Sequence, residues 1–165
     1  FPTRRSSDLM TNHFFSDEEI TRNDLYFICY MIERVARKLH QRNKYVVNAI
    51  DKKEWTRLIS LANVLHCENP LKIEDQWIDE YSLESGSFDI TEVDKELAES
   101  IPSETQMGKV YMRLILDTLL PGENYVEGLI RVYNDPISEV IDNYNSSAFY
   151  EPSYVIARAY NEGGF

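Results

Sequence analysis

LYFICYMIERVARKLH, residues 25–40, decides the class of fold. Ile28, Met31, Ile32, Val35 and Leu39 recur at the three- and four-residue spacing that lines one face of a helix. Arg34, Arg37, Lys38 and His40 crowd the last turns, where positive charge meets the negative end of the helix dipole.

The same spacing continues downstream. Asn43 is read as the cap of a short helix holding Tyr45, Val46, Val47 and Ile50. KKEWTRLISLANVLHCE (52–68) follows as one helix with Trp55, Leu58, Ile59, Ala62 and Leu65 inward. Asn69 before Pro70 starts the next helix, because proline suits the first helical position. SLESGSFD (82–89) is the expected linker, and a short amphipathic helix is expected around Val93 and Leu97. Ser103 and Gln106 form a capping box ahead of QMGKVYMRLILDTLLPG (106–122), whose broad apolar stripe predicts a central helix. In that helix Gly108 marks a close approach. Helices are also expected after Asn124, after Asp135-Pro136 and from Pro152 to the Gly163-Gly164 stop. Upstream, Ser16 and Glu19 read as a capping box with Phe15 stapled onto Ile20, which starts a helix at Asp17. No turn dipeptide joins two alternating apolar runs, so strands are not expected. The fold class is therefore all-α, an irregular bundle of about seven to nine helices. Two packed domains are expected, 10–82 and 83–165.

Residues 1–9, FPTRRSSDL, do not resemble the rest. Arg4 and Arg5 suggest export, but no apolar core follows them. The codons TTC CCT ACA CGA CGC TCT TCC GAT CTN would encode this string, and they read as the end of a short-read sequencing adapter. Residues 1–9 are thus expected to be non-native, with Met10 as the natural start.

Hydrophobic content of 43% supports a real core, and no apolar run nears the roughly 18 residues of a membrane span. Two cysteines, Cys29 and Cys67, give neither a disulfide framework nor a metal pattern. A reducing cytoplasm is the expected location. Charge is uneven: residues 10–67 carry nine Lys/Arg against seven Asp/Glu, whereas 68–142 carry five against eighteen. The acidic half disfavours nucleic acid and anionic membrane, and would suit a basic cleft on a partner.

Candidate chemistry is sparse. His66 and Cys67 are chain neighbours, about 100° apart on a helix, and so do not face each other as a dyad. Asp75 with Asp79, and Glu123 with Glu127, share helix faces that read as solvated. No phosphate loop, zinc helix or nucleophile elbow occurs. No catalytic, cofactor-binding or metal residue is assigned, and no cofactor is implied. Two constellations stand out. DNYNSSAFYEPSY (142–154) mixes aromatics with amides in a connection, which makes Asn143, Tyr144, Asn145, Tyr150, Glu151, Tyr154 and Arg158 candidates for partner binding. Arg34, Arg37, Lys38, Arg42 and Lys44 form a possible basic docking face. A DNA-reading helix needs side chains that reach base edges, and KYVVNAI (44–50) offers only Asn48.

NDLYFICYMIERVARKLHQRNKYVVNAI (23–50), LISLANVLHCEN (58–69) and IEDQWIDEY (73–81) together resemble a small bacterial helical domain family of unknown function. The shared pattern is an aromatic-rich first helix, a short helix, then Leu65-His66 ahead of an acidic helix. Members look like neighbours of ADP-ribosyltransferase-like proteins, so the resemblance implies a partner or neutralising role and assigns no catalytic residue. Three readings follow: a non-catalytic protein-interaction module, a DNA-binding regulator using the basic cluster, and an uncharacterised enzyme. The last would need a polar pocket with several perturbed titratable groups.

Overall fold

Helix α1 (Arg22–Leu39) buries Leu25, Ile28, Met31, Ile32 and Val35 completely, each worth about 1.5–3 kcal/mol when removed from water. It is the helix around which a computed structural model, describing residues 10–165, is arranged. The reading of residues 1–9 as adapter-derived lies outside the described residues. α1 ends at His40, which adopts a left-handed conformation (φ 52°) and donates its N–H to the Ala36 and Arg37 carbonyls. Four helices follow it: α2 (Asn43–Ala49), α3 (Lys52–Ser60), α4 (Ala62–Leu65) and α5 (Pro70–Glu80). The segment expected as one helix over 52–68 breaks at Leu61, which caps α3 and starts α4. Trp55 and Trp77 meet edge to face at 5.6 Å, and the Trp55 indole donates to the Val47 carbonyl.

The second half supplies α6 (Glu104–Asp117), α7 (Tyr125–Asn134), α8 (Ile137–Ile141) and α9 (Ser153–Glu162), with a 3-10 turn at Ala148–Tyr150. The Ser103–Gln106 capping box of α6 forms as expected. α1 and α6 make the most extensive helix pair of the molecule, and one continuous core contains residues from both halves. A Cβ on Gly108 would sit 3.0 Å from the Tyr30 backbone, so glycine is what lets these two helices approach so closely. The expected linker does not hang free. Gly86 donates to the Leu39 carbonyl at 2.7 Å and Phe88 to the His40 carbonyl at 2.9 Å.

Three further local expectations are corrected. No helix starts at Asp17. Residues 10–20 form a small hairpin in which β1 (Met10–Thr11) pairs antiparallel with β2 (Glu19–Ile20). Asn12 decides this outcome. Its Oδ1 accepts the N–H groups of Phe14 and Phe15, and its Nδ2 donates to the Ser60 carbonyl at 3.0 Å. Phe15 stays exposed and Ile20 is buried as a strand residue, while the working capping box is Thr21 with Asp24. Second, Asn43 is not a cap. It is the first residue of α2, and Arg42 holds the cap position without a side-chain bond. Third, residues around Val93 and Leu97 form turns rather than a helix.

Candidate functional site: a buried acid network beneath an aromatic ridge

Glu33 lies on the inward face of α1 and is 1% exposed. A buried carboxylate is costly unless its oxygens are bonded, and here three donors reach it. Arg37 Nε donates at 2.8 Å, the Tyr144 hydroxyl at 2.7 Å and Asn43 Nδ2 at 3.0 Å. Asn43 Nδ2 also donates to Asp142 at 3.2 Å. Its two N–H groups thus bridge two acids, while its own Oδ1 is buried without a partner. On the other side of Asp142, the Tyr111 hydroxyl lies 2.7 Å from Oδ1 and 3.3 Å from the Ser138 carbonyl. The Arg37 guanidinium completes the cluster, donating to the Pro102 carbonyl at 2.8 Å and to Glu104 at 3.2 Å.

These contacts shift the titrating groups. Burial first, then the neighbouring Glu33 carboxylate, pushes the Asp142 carboxyl well above the usual range. Burial also raises the hydroxyls of Tyr111 and Tyr144. Asp142 forms part of the wall of a cleft of about 310 Å³ that also contains Arg42, Asp89, Glu139, Asn143 and Asn145.

The network fixes what lies above it. The Tyr144 ring packs edge to face on Phe149 at 5.5 Å, and Phe149 packs on Tyr150 at 4.5 Å. Tyr150 and Tyr154 then project from the corner between the 3-10 turn and α9, 64% and 70% exposed. Tyr150 separates two grooves. One, of about 360 Å³, runs between α6 and the start of α9 and is lined by Lys109, Val110, Arg113, Leu114, Phe149 and Ile156 among others. The other is wider and includes Leu97, Glu99, Asn145 and Ser147.

Of the residues expected at a partner surface, Asn143, Asn145, Tyr150, Glu151, Tyr154 and Arg158 are exposed. Tyr144 is instead buried against Glu33. Asn145 accepts the Asp94 N–H at 2.7 Å, and Asn143 accepts the Asn145 N–H. The basic cluster is largely turned to internal use. Arg34 pairs with Glu74 at 2.8 Å, Arg37 with Glu33 and Lys38 with Asp75 at 2.6 Å. The Arg42 guanidinium lies 4.1 Å from the centre of the Phe88 ring, and Lys44 is exposed. Asn48 forms reciprocal amide bonds with Asn134. The His66 ring lies 5.1 Å from Phe27, and the Cys67 thiol donates to the Asn63 carbonyl, so neither serves the other. Among the described residues, no group of three or more His, Cys, Asp or Glu side chains is arranged to hold a metal ion. No helix among them is long and apolar enough to cross a membrane.

Sequence reasoning missed Glu33, Asp142 and the Tyr111 hydroxyl. The available signal was Glu33 with Arg37 at helical spacing, flanked on both sides by apolar residues. Comparison with protein-family models, with curated proteins and with solved structures finds no match for this chain.

Proposed function

We propose that this chain is a non-catalytic protein-interaction module whose contact surface is the Tyr150–Tyr154 ridge, with Glu151 and Arg158 beside it. The supporting observation is the pre-organised exposure of two tyrosines on a corner tied down to a buried acid network. Tyrosine gives large contact area with little rotamer entropy to lose, and such side chains dominate interface energetics. The ADP-ribosyltransferase-like neighbour implied by the resemblance is the first partner to test. A photo-reactive phenylalanine placed at position 154 should capture a partner in cells. The same group at Val64, an exposed apolar position on α4, should not. Equal capture from both positions, or none from position 154, would sink the proposal.

A DNA-binding role draws little support, because Arg34, Arg37 and Lys38 already have carboxylate partners. A polar-ligand or catalytic cleft at Asp142 is favoured by one observation, its raised carboxyl in the wall of an open cleft. Both of its oxygens, however, are engaged within the protein, by Tyr111 and Asn43.

A further inference from the structure

The groove between α6 and α9 differs from the rest of the acidic half. Residues 68–142 hold five cations against eighteen carboxylates, and two of those five, Lys109 and Arg113, line this one groove. They stand four residues apart on α6, about 6 Å along the helix axis, and both are exposed. Neither makes an ion pair within 4.0 Å among the described residues. Elsewhere in this half, Lys72 is paired with Glu68 and Arg131 with Glu123, while Lys95, outside this groove, likewise makes no ion pair among the described residues. The same groove is lined by the apolar side chains of Val110 and Leu114 from α6 and of Phe149 and Ile156 from the facing segment. Glu151, on that opposite side, is the single carboxylate lining the groove.

Resting on the protein-interaction reading, we propose that this groove receives an acidic segment of the partner that carries a bulky apolar side chain beside its carboxylates. The apolar side chain would fill the floor against Val110, Phe149 and Ile156, excluding water there. Carboxylates one helical turn apart would then meet Lys109 and Arg113 with matching spacing, the arginine taking its carboxylate through paired N–H donors. An amphipathic helix laid along a groove presents that combination. A basic segment would instead place like charge against these two cations, which disfavours it. Tyr150 borders the same groove, so the anchor and the ridge form one contiguous surface.

The test is selection of a random dodecapeptide phage library on the immobilised chain, in parallel with Lys109→Glu/Arg113→Glu. Both positions are exposed, and circular dichroism establishes that the double variant is folded. Peptides enriched by the unaltered chain should combine Asp or Glu with Leu, Phe or Trp. One of them, synthesised and followed by fluorescence anisotropy, should bind the double variant roughly tenfold or more weakly, and should weaken with added salt. No enrichment, enrichment of neutral or basic peptides, or equal binding by the double variant would overturn the proposal. So would a dimer in sedimentation that Lys109→Glu/Arg113→Glu disperses, because the occupant would then be a second copy of this chain. Cross-linking from position 154 reads the ridge independently, so the groove can fail while the interaction surface stands.

Discussion

Replacing Asp142 by asparagine should make the protein progressively more stable than its parent as pH rises. The prediction follows from counting charges and protons in the buried network. Arg37 is paired with Glu33, and no cation contacts the Asp142 carboxyl, whose two bonded neighbours are Tyr111 and Asn43. One proton arrangement satisfies the oxygens of Asp142, Tyr111 and Ser138 together. A protonated Asp142 Oδ1 donates to the Tyr111 oxygen, Tyr111 donates to the Ser138 carbonyl, and Oδ2 accepts from Asn43. An asparagine amide reproduces that pattern, donating to Tyr111 and accepting from Asn43. Because burial raises the folded pKa, the folded state holds a proton that the unfolded chain releases above about pH 3.9. Stability from this group is complete below that pH and declines as pH rises through the folded pKa. The slope is about 1.4 kcal/mol per pH unit in that window. The measurement is urea unfolding of both proteins at several pH values between acid and neutral, taking the difference so that other carboxylates cancel. The advantage of D142N should grow with pH by up to that slope. A difference that does not change with pH, or one that grows in favour of the parent, would refute the protonated acid.

Three further outcomes are expected. Gly108→Ala places a Cβ 3.0 Å from the Tyr30 backbone; backbone cannot move aside as a side-chain tip can, so urea unfolding should show a loss of about 1–3 kcal/mol. Arg131→Ala removes donors to Glu123, the Thr118 carbonyl and the Tyr160 hydroxyl, with an expected loss of about 2–4 kcal/mol near neutral pH. Burial opposes ionisation of Glu123, yet Arg131 holds its carboxyl below the ordinary value. That stabilisation is present above the unfolded pKa and disappears as pH falls through the folded one, so the variant should cost less in acid. Finally, burial pushes the Cys29 thiol up to about 12, whereas Cys67 is exposed. Mass spectrometry of the native protein after iodoacetamide should find Cys67 alone modified, and Cys29 only after denaturation.

Helical periodicity made most of the bundle legible, because burial of Ile28, Met31, Ile32 and Val35 is a local pattern repeated along one helix. Gly108 was legible for a related reason, since glycine inside an apolar helix implies a neighbour too close for a side chain. The beginning of the chain was not. Ser16–Glu19 and Thr21–Asp24 both fit a capping pattern, and the choice between them rests on Asn12 bonding to Ser60, a contact across 48 residues. The polar network was hidden for a similar reason. Glu33 and Arg37 look like an ordinary surface pair until Asn43, Tyr111, Asp142 and Tyr144 converge from other helices. Tyr150 and Tyr154 could be nominated from composition, but not distinguished from Tyr144, which points inward. Lys109 and Arg113 are not legible from segment-wide charge, because the acidic balance of residues 68–142 conceals two cations that fall along one groove.

The most direct measurement is the affinity of the partner captured at position 154 for the parent chain and for Tyr150→Ala/Tyr154→Ala. Both side chains are largely exposed, so the double variant should keep its circular dichroism spectrum and unfolding midpoint. A loss of about 2 kcal/mol or more, a roughly thirtyfold rise in Kd, is predicted if the tyrosines anchor the interface. An unchanged Kd in the folded double variant would contradict the account.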